Sequence, residues 1–251
     1  MKHAVDLPPL RVLVVDDDDD HRALIGRYLP NPPLQVESAA DGRAAVDAAE
    51  ANPPDVILLD LEMPVMDGLE AAARLRELER ARGRRPCAII AFSAHNDEAV
   101  RRRSLAAGCD LYLTKPVSRA VLLRTLREAV ASAGPAPASA GEPDAAQAVA
   151  DLRPDDPVAI DPDLADSLSD FLGSRSTILD ELDTVLAAAE RGRLRRLAHR
   201  LAGSFSLYGF RWAASQCLRV ERDAEHAERL RLAEALAALR RHLETVEVHC
   251  E

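Results

Sequence analysis

The sequence predicts two domains: an α/β domain on a doubly wound, five-stranded parallel sheet, and an all-α four-helix bundle. Three observations lead there. Over residues 10–131, short apolar runs alternate with segments of helical period, the pattern of repeated strand–helix units. A stretch rich in Pro, Ala, Ser and Gly follows, and beyond it every apolar repeat has helical spacing. With 251 residues, 47% of them hydrophobic, the chain can bury a core in each part. The expected boundaries are 1–132 for the α/β domain, 133–158 for a flexible linker and 159–251 for the bundle.

The first strand is Leu10–Val15, and five aspartates, Asp16 to Asp20, follow it. A helical pattern runs from Leu24 to Leu29. The next strand is expected at Leu34–Glu37 and the next helix at Gly42–Ala51, ended by Asn52-Pro53-Pro54. Val56–Leu59 has the length and residue types of a strand buried on both faces, and it ends on Asp60. A turn through Met63-Pro64 leads to Asp67-Gly68 and a helix from Leu69 to Arg82. Cys87–Phe92, a helix from Asp97 to Ala107, Asp110–Leu113 and a helix from Ser118 to Ala131 complete the series. Open α/β sheets present ligands at the carboxyl ends of their strands, so Asp60 is expected to meet solvent and substrate rather than the core. The ends of the first, third, fourth and fifth strands carry Asp16 and Asp17, Asp60, Ser93, and Thr114-Lys115-Pro116 to one rim.

Adjacent aspartates repel, so something must favour placing them together. Acids at the start of a helix suit its dipole, which is one reading. The other is a divalent cation held by Asp16 and Asp17, with Asp18 to Asp20 serving the loop and the helix cap. Hard carboxylate oxygens without His or Cys suit Mg²⁺ rather than Zn²⁺. A carboxylate can attack phosphorus when the charge on the phosphoryl oxygens is neutralised. Here the cation, the Lys115 ammonium and the Ser93 hydroxyl would each hold one oxygen. An acyl phosphate on Asp60 would add charge that Ser93 and Lys115 can follow, which is a switch.

VVDD, DLEMPVMDG, SAH after an apolar strand, and YLTKP, in this order and spacing, resemble the receiver domain of bacterial response regulators over residues 10–131. The resemblance implies a flavodoxin-like fold with Asp60 as phosphoacceptor. It implies Mg²⁺ held by Asp16, Asp17, Asp60 and the backbone carbonyl of Glu62, with Ser93 and Lys115 on the phosphoryl group. It further implies a cis Lys115-Pro116 peptide and Tyr112 as the switch aromatic that works with Ser93. Glu62 and His95 occupy positions that tune phosphoryl lifetime.

In the second half, helical segments are expected at Pro162–Leu172, Ser176–Ala189, Leu194–Leu207, Arg211–Ala224 and Leu230–Val246. Breaks at Gly173-Ser174, Arg191-Gly192 and Tyr208-Gly209 are short enough for antiparallel neighbours. The linker itself has no period, apart from a helical turn at Asp144–Ala150. In LRRLAHRLAGSFSLYGF, Leu194, Leu197, Ala198, Leu201 and Phe205 form the buried stripe, which leaves His199 on the wet face with Arg195, Arg196, Ala202 and Gly203. Gly203 costs about 1 kcal/mol of helix propensity yet clears bulk beside the imidazole. The arginines at 191, 193, 195, 196 and 200 suit either a phosphoryl group and an acidic partner rim or an ordinary solvated face. His-x-Leu-x-Gly-Ser, an aromatic-Gly-Phe turn, and a helix carrying Cys217, Leu218 and Glu221 are similar to the histidine phosphotransfer (HPt) domain over residues 160–248. The similarity implies that His199 accepts a phosphoryl group from a receiver aspartate and passes it on. One departure stands out: the lysine expected three residues after the histidine is Ala202.

The combined expectation is a two-component phosphorelay protein, charged by a sensor histidine kinase or a hybrid kinase's receiver and exchanging phosphoryl groups with other response regulator receivers. The alternative is a regulatory docking module whose bundle binds such a partner without transfer. The net charge of −10 leaves no segment basic enough for nucleic acid. The four cysteines lack metal or disulfide spacing. No apolar run approaches the ~20 residues of a membrane span, and MKHAVDLPPL lacks a signal peptide's apolar core, so a soluble, cytoplasmic protein is expected. Without a kinase's glycine loop, the phosphoryl group must come from outside.

Overall fold

Every residue of Leu10–Val15 (β1) except Arg11 is Leu or Val, and all but Arg11 are buried, as a strand covered on both faces requires. Val56–Asp60 (β3) is buried throughout. The computed structural model describes residues 7–93, 97–115, 117, 119–131, 152–160 and 162–250, in two compact units, 1–142 and 143–251. The expected cis Lys115-Pro116 peptide, His95, the turn at Asp144–Ala150 and most of the linker lie outside the described residues.

In the first unit β1 and β3 are joined by Leu34–Ala39 (β2), Ala88–Ser93 (β4) and Leu111–Thr114 (β5) in one parallel sheet, order β2-β1-β3-β4-β5. Alternate residues face opposite sides of a strand. Leu13, Val15, Ile57, Leu59, Ile89 and Ala91 share one core with Ala45, Ala49, Ala71, Ala72 and Leu75 from helices Gly42–Ala51 (α2) and Gly68–Arg82 (α3). Asp19–Tyr28 (α1) packs on β1, and Arg119–Ala131 (α5) packs on β3 and β4. Glu98–Ala107 (α4) completes the winding. Side-chain caps start these helices: Asp18 accepts from the Asp20 and His21 amides, Asp41 from Ala44, Asp67 from Glu70 and Asp97 from Ala99. The helix α1 begins at Asp19, a turn and a half before the expected Leu24, because Asp18 caps it. Gly83 and Gly108 end α3 and α4 in the left-handed conformation.

The second unit holds a short 3-10 helix at Pro162–Ser167 and four long helices: Leu168–Ala187 (α6), Arg191–Leu207 (α7), Arg211–Asp223 (α8) and Arg229–Thr245 (α9). The expected break at Gly173-Ser174 is absent. The helix α6 runs through it, with Ser174 Oγ donating to the Phe171 carbonyl inside the same turn, and with Phe171, Leu179, Leu182 and Leu186 continuing one buried face. Arg191-Gly192 likewise opens α7 rather than preceding it. Three of the chain's four phenylalanines meet here: Phe171 stacks on Tyr208 at 3.7 Å, with Phe205 and Phe210 around 6 Å away. Such pairs contribute about 0.5–1.5 kcal/mol each beyond their area.

One element was not expected. Val158–Ile160 (β6), assigned in part to the linker, pairs in parallel with Val248–Cys250 (β7). Gly209, at φ 83° between α7 and α8, lies so near β6 that a Cβ there would sit 2.4 Å from the Ala159 carbonyl. Its missing side chain thus permits both the turn and the approach. Among the described residues no helix is long and apolar enough to cross a membrane.

Candidate functional site

Strand register assembles the first site. Val15 is level with Leu59, Asp60 with Phe92, and Ser93 with Thr114. The residue after β1, the last of β3, the last of β4 and the residue after β5 therefore emerge together: Asp16, Asp60, Ser93 and Lys115. Lys115 N donates to the Ser93 carbonyl at 2.7 Å, fixing the lysine backbone, and its Nζ lies 2.8 Å from Asp60 Oδ2 and 3.2 Å from Asp16 Oδ2. All four are buried, which corrects the expectation that Asp60 meets solvent: it is 4% exposed, with the Lys115 ammonium against it. Burial alone would raise the Asp16 carboxyl, but the Lys115 ammonium and His21 hold it well below the usual carboxylate range. Burial would likewise lower Lys115, and Asp16 and Asp60 together hold it above the ordinary lysine value. Both groups are therefore ionised at neutral pH.

Backbone donors shape the same pocket. Asp18 N donates to Asp16 Oδ1 at 2.9 Å, Glu62 N donates to Asp60 Oδ1 at 3.2 Å, and Arg22 donates to the Asp16 carbonyl. Gly68, first residue of α3, packs directly on Asp60: a Cβ there would lie 2.2 Å from the Asp60 carbonyl oxygen. Asp17 and Glu62 are half-buried at the pocket's edge. Tyr112 stands on β5, half-buried; burial raises its phenol, and a hydrogen bond with Ser93 works against that rise.

The residues present fit a divalent cation. Asp16 and Asp60 place two buried carboxylates against one buried ammonium, so their charges do not cancel, and excess buried negative charge is costly unless a cation joins it. The sequence reading missed one member. His21, 3% exposed, places Nδ1 3.1 and 3.2 Å from the two oxygens of Asp16. The statement that no histidine is near the carboxylates is thereby overturned. The signal was present: His21, Leu24, Ile25 and Tyr28 are the buried face of α1, at the i, i+3, i+4, i+7 spacing.

The second site is His199 on α7. The expected wet face is a buried one: His199 is 9% exposed, Ala202 is fully buried and Gly203 is buried, while Arg195 and Arg196 are exposed as expected. The helix α7 packs against both α6 and α8, so a single apolar stripe underestimates what it covers. Glu221 on α8, itself buried, sets Oε2 3.2 Å from His199 Nδ1. The sequence reading noted Glu221 without a role. With Nδ1–H donating to this carboxylate, the ring's second nitrogen, Nε2, is the unprotonated one.

Comparison with known proteins agrees with both halves. The family described as the response regulator receiver domain matches residues 12–127, and the Hpt domain matches residues 166–249. The sensor histidine kinase GacS of Pseudomonas protegens is 31% identical over 219 residues, which cover 84% of this chain and 24% of GacS. The osmolarity two-component system protein SSK1 of Saccharomyces cerevisiae is 28% identical over 144 residues, covering 48% of this chain and 20% of that protein. The chain thus spans about a quarter or less of the length of these relatives. Among solved structures, a chain of the co-crystal of yeast Ypd1 with the Ssk1 receiver domain aligns at 31% identity and TM-score 0.48, covering 50% of this chain and 91% of that one. Vibrio cholerae CheY4 aligns at 30% identity and TM-score 0.43, covering 47% and 97%. The chain belongs to the response regulator receiver family over residues 12–127 and to the Hpt family over residues 166–249.

Proposed function

We propose that the chain is a two-component phosphorelay protein with two phosphoryl acceptors, Asp60 in the receiver domain (1–132) and His199 in the Hpt domain (159–251), joined by the 133–158 linker. The observation that carries this reading is the Lys115 ammonium bridging Asp60 and Asp16 at the buried ends of three strands. Asp60 attacks the phosphorus of a donor phosphohistidine: the O–P bond forms as the N–P bond breaks, and the electron pair stays on the imidazole nitrogen. Lys115 then leaves the Asp60 carboxylate for a phosphoryl oxygen. Ser93 donates its hydroxyl to another, and loses Tyr112 as a partner in doing so, which supports Ser93 and Tyr112 as the switch. Asp16, Asp17, Asp60 and the backbone carbonyl of Glu62 are the residues that would hold Mg²⁺, which when bound neutralises charge on the transferred group.

At the second acceptor, Glu221 keeps the proton on His199 Nδ1, so Nε2 is the nucleophile. Arg196 or Arg200, neither at the position of the expected lysine, would supply the positive charge that Ala202 does not. The partners are a sensor histidine kinase or a hybrid kinase's receiver domain and other response regulator receivers, the classes to which the relatives belong; neither nucleic acid nor a membrane is among them. A cytoplasmic location accords with this chemistry. The low exposure of His199 and the alanine at 202 favour a second reading, in which the bundle docks a kinase or receiver without transfer.

The test is chemical. The protein is incubated with a radiolabelled phosphodonor and Mg²⁺, and the label is challenged with acid and base in wild type, Asp60→Asn and His199→Gln. Acyl phosphate fails in base, and phosphohistidine fails in acid. Label on both residues supports the relay. Label on Asp60 alone, even with a phosphorylated receiver supplied, replaces it with docking.

A further inference from the structure

Among the described residues two non-glycines hold a positive φ, Val65 at 68° and Ala189 at 58°. For a β-branched side chain this is an outlier, since the branch crowds its own backbone where glycine or asparagine would not. The turn at Val65 is the tight kind, in which Met66 N donates to the Pro64 carbonyl at 2.8 Å across a single residue, a rare and strained form. It is also firmly held. Met63 and Met66 on either side are buried, the Met66 carbonyl accepts from Gly42 N at 3.2 Å at the start of α2, and Gly68 N closes the loop onto the Leu61 carbonyl at 3.0 Å. Between these anchors Val65 stands 85% exposed. A lone exposed apolar residue is ordinary, and Leu230, 69% exposed in α9, is one. An exposed valine kept against backbone strain is not, because the core gains nothing from its side chain; such strain persists where a site uses it.

We propose that Val65 is a specificity residue for the phosphoryl donor: an apolar knob, fixed in place, that seats on the helical bundle carrying the donor phosphohistidine. This rests on the phosphorelay reading. Asp60 is 4% exposed, so a phosphohistidine reaches it only when the donor's own surface lies against the loops that leave the strand ends. The loop of Val65 is the one that leaves Asp60 itself, and it begins with Glu62 N on Asp60 Oδ1 at 3.2 Å. Helical surfaces receive side chains in the grooves between their ridges, and a single branched apolar side chain suits such a groove. A loop already anchored on both sides loses little freedom when it docks, which is what strain and rigidity contribute to binding. A small phosphodonor has no groove to offer, so the contact acts on protein donors alone.

The donor is the full chain as Asp60→Asn, phosphorylated on His199 with phosphoramidate. The acceptors are the full chain as His199→Gln, alone and with Val65→Gly, Val65→Asn or Val65→Ile, each with Mg²⁺, and each is also phosphorylated by acetyl phosphate. Val65→Gly and Val65→Asn should raise KM for the protein donor at least about tenfold, the factor that corresponds to a buried valine side chain lost from a contact. Val65→Ile, which keeps the apolar surface, should keep the KM of the valine form. The initial rate with acetyl phosphate should be the same in every acceptor. Val65→Gly and Val65→Asn should also melt no lower than the valine form, since both relieve the backbone, so a lost contact is not confused with a lost fold. An unchanged KM in both variants overturns the proposal. Equal slowing with both donors overturns it too, and makes Val65 a support of Asp60 instead. No transfer from the protein donor to the valine form, with acetyl phosphate still labelling Asp60, overturns it and leaves Asp60 an acceptor. No acyl phosphate from either donor removes the phosphorelay reading itself.

Discussion

Gly68→Ala puts a methyl group where the structure has no room for one, and the obstacle is the backbone of Asp60 and Leu61. The added Cβ would lie 2.2 Å from the Asp60 carbonyl oxygen and 2.8 Å from Leu61 Cα, whereas ordinary contact begins at 3.4 Å. Helix α3 and the end of β3 must separate by about 1.2 Å, the difference between 3.4 and 2.2 Å. Neither neighbour is a flexible side chain that could swing away. Gly68 N also donates to the Leu61 carbonyl at 3.0 Å, and this bond stretches as the two part. Overpacking of this kind costs about 1–3 kcal/mol, against a gain of about 1 kcal/mol in helix propensity. Displacing a reacting carboxylate by about 1 Å costs about 100-fold in rate. The expected result is a modest net loss in stability with phosphorylation of Asp60 slowed about 100-fold, read by denaturant melts and by the initial rate of acyl phosphate formation from a small phosphodonor. Gly173→Ala is the control: it lies inside α6 with nothing within 4 Å of the new Cβ, and should stabilise by about 0.5–1 kcal/mol. If Gly68→Ala is phosphorylated at the wild-type rate, the idea that α3 sets the position of Asp60 through this contact is wrong.

Three further outcomes follow from the same geometry. Glu221→Leu removes the acceptor at His199 Nδ1 and should slow phosphoryl transfer at His199 about 10–100-fold, the rate equivalent of a charged hydrogen bond worth about 1.5–3 kcal/mol, while Glu221→Gln, whose amide oxygen still accepts, should lose less; a transfer time course between an isolated phosphorylated receiver and the full chain reads both. Lys115→Met strands two buried carboxylates and should destabilise the receiver unit by about 3–5 kcal/mol, with added divalent cation recovering part of the loss in a thermal melt. His242, nearly fully buried, accepts its environment as a neutral ring: burial lowers its pKa, against the Pro154 carbonyl 2.6 Å from Nδ1 and against Asp155. Since the folded value lies below the unfolded one, the stability linked to His242 is present above the unfolded pKa of about 6.5 and is lost as pH falls through the folded pKa. Melts of the second unit between about pH 7 and about pH 5 should therefore show wild type losing more stability than His242→Phe.

The parallel sheet could be read because four of its five strands, all but β2, are compact apolar runs and are set off by punctuation: aspartates after Val15, Asn-Pro-Pro before Val56, Lys-Pro after Thr114. The site residues followed from the same fact, since a residue that ends a buried strand has only one edge of the sheet to occupy. What escaped was contact between elements. His21 belongs to the periodic face of α1, but the aspartate run before it drew the helix start too late. Glu221 meets His199 from another helix, 22 positions away, a distance at which no periodicity speaks. The bundle's continuous α6 was cut in two because Gly-Ser was given the weight of a breaker, although one glycine in a twenty-residue helix with a strong apolar face is affordable. A strand of three residues such as β6 has too little length to carry any pattern at all.

That ribbon has a mechanical meaning. β6 leads into the Hpt unit and β7 leads out of it, and the two run parallel with Val158 beside Val248 and Ile160 beside Cys250. Tension applied between Leu152 and Cys250 would draw β6 toward its amino end and β7 toward its carboxyl end, in opposite directions along one axis. The backbone hydrogen bonds between them would then be loaded in shear, sharing the force, instead of opening one after another like a zipper. A bundle of helices alone has no such clamp across its ends. Here, pulling reaches α6 and α9 only after the ribbon gives way, so the helix pair that carries His199 and Glu221 is the last part of the unit to feel the load.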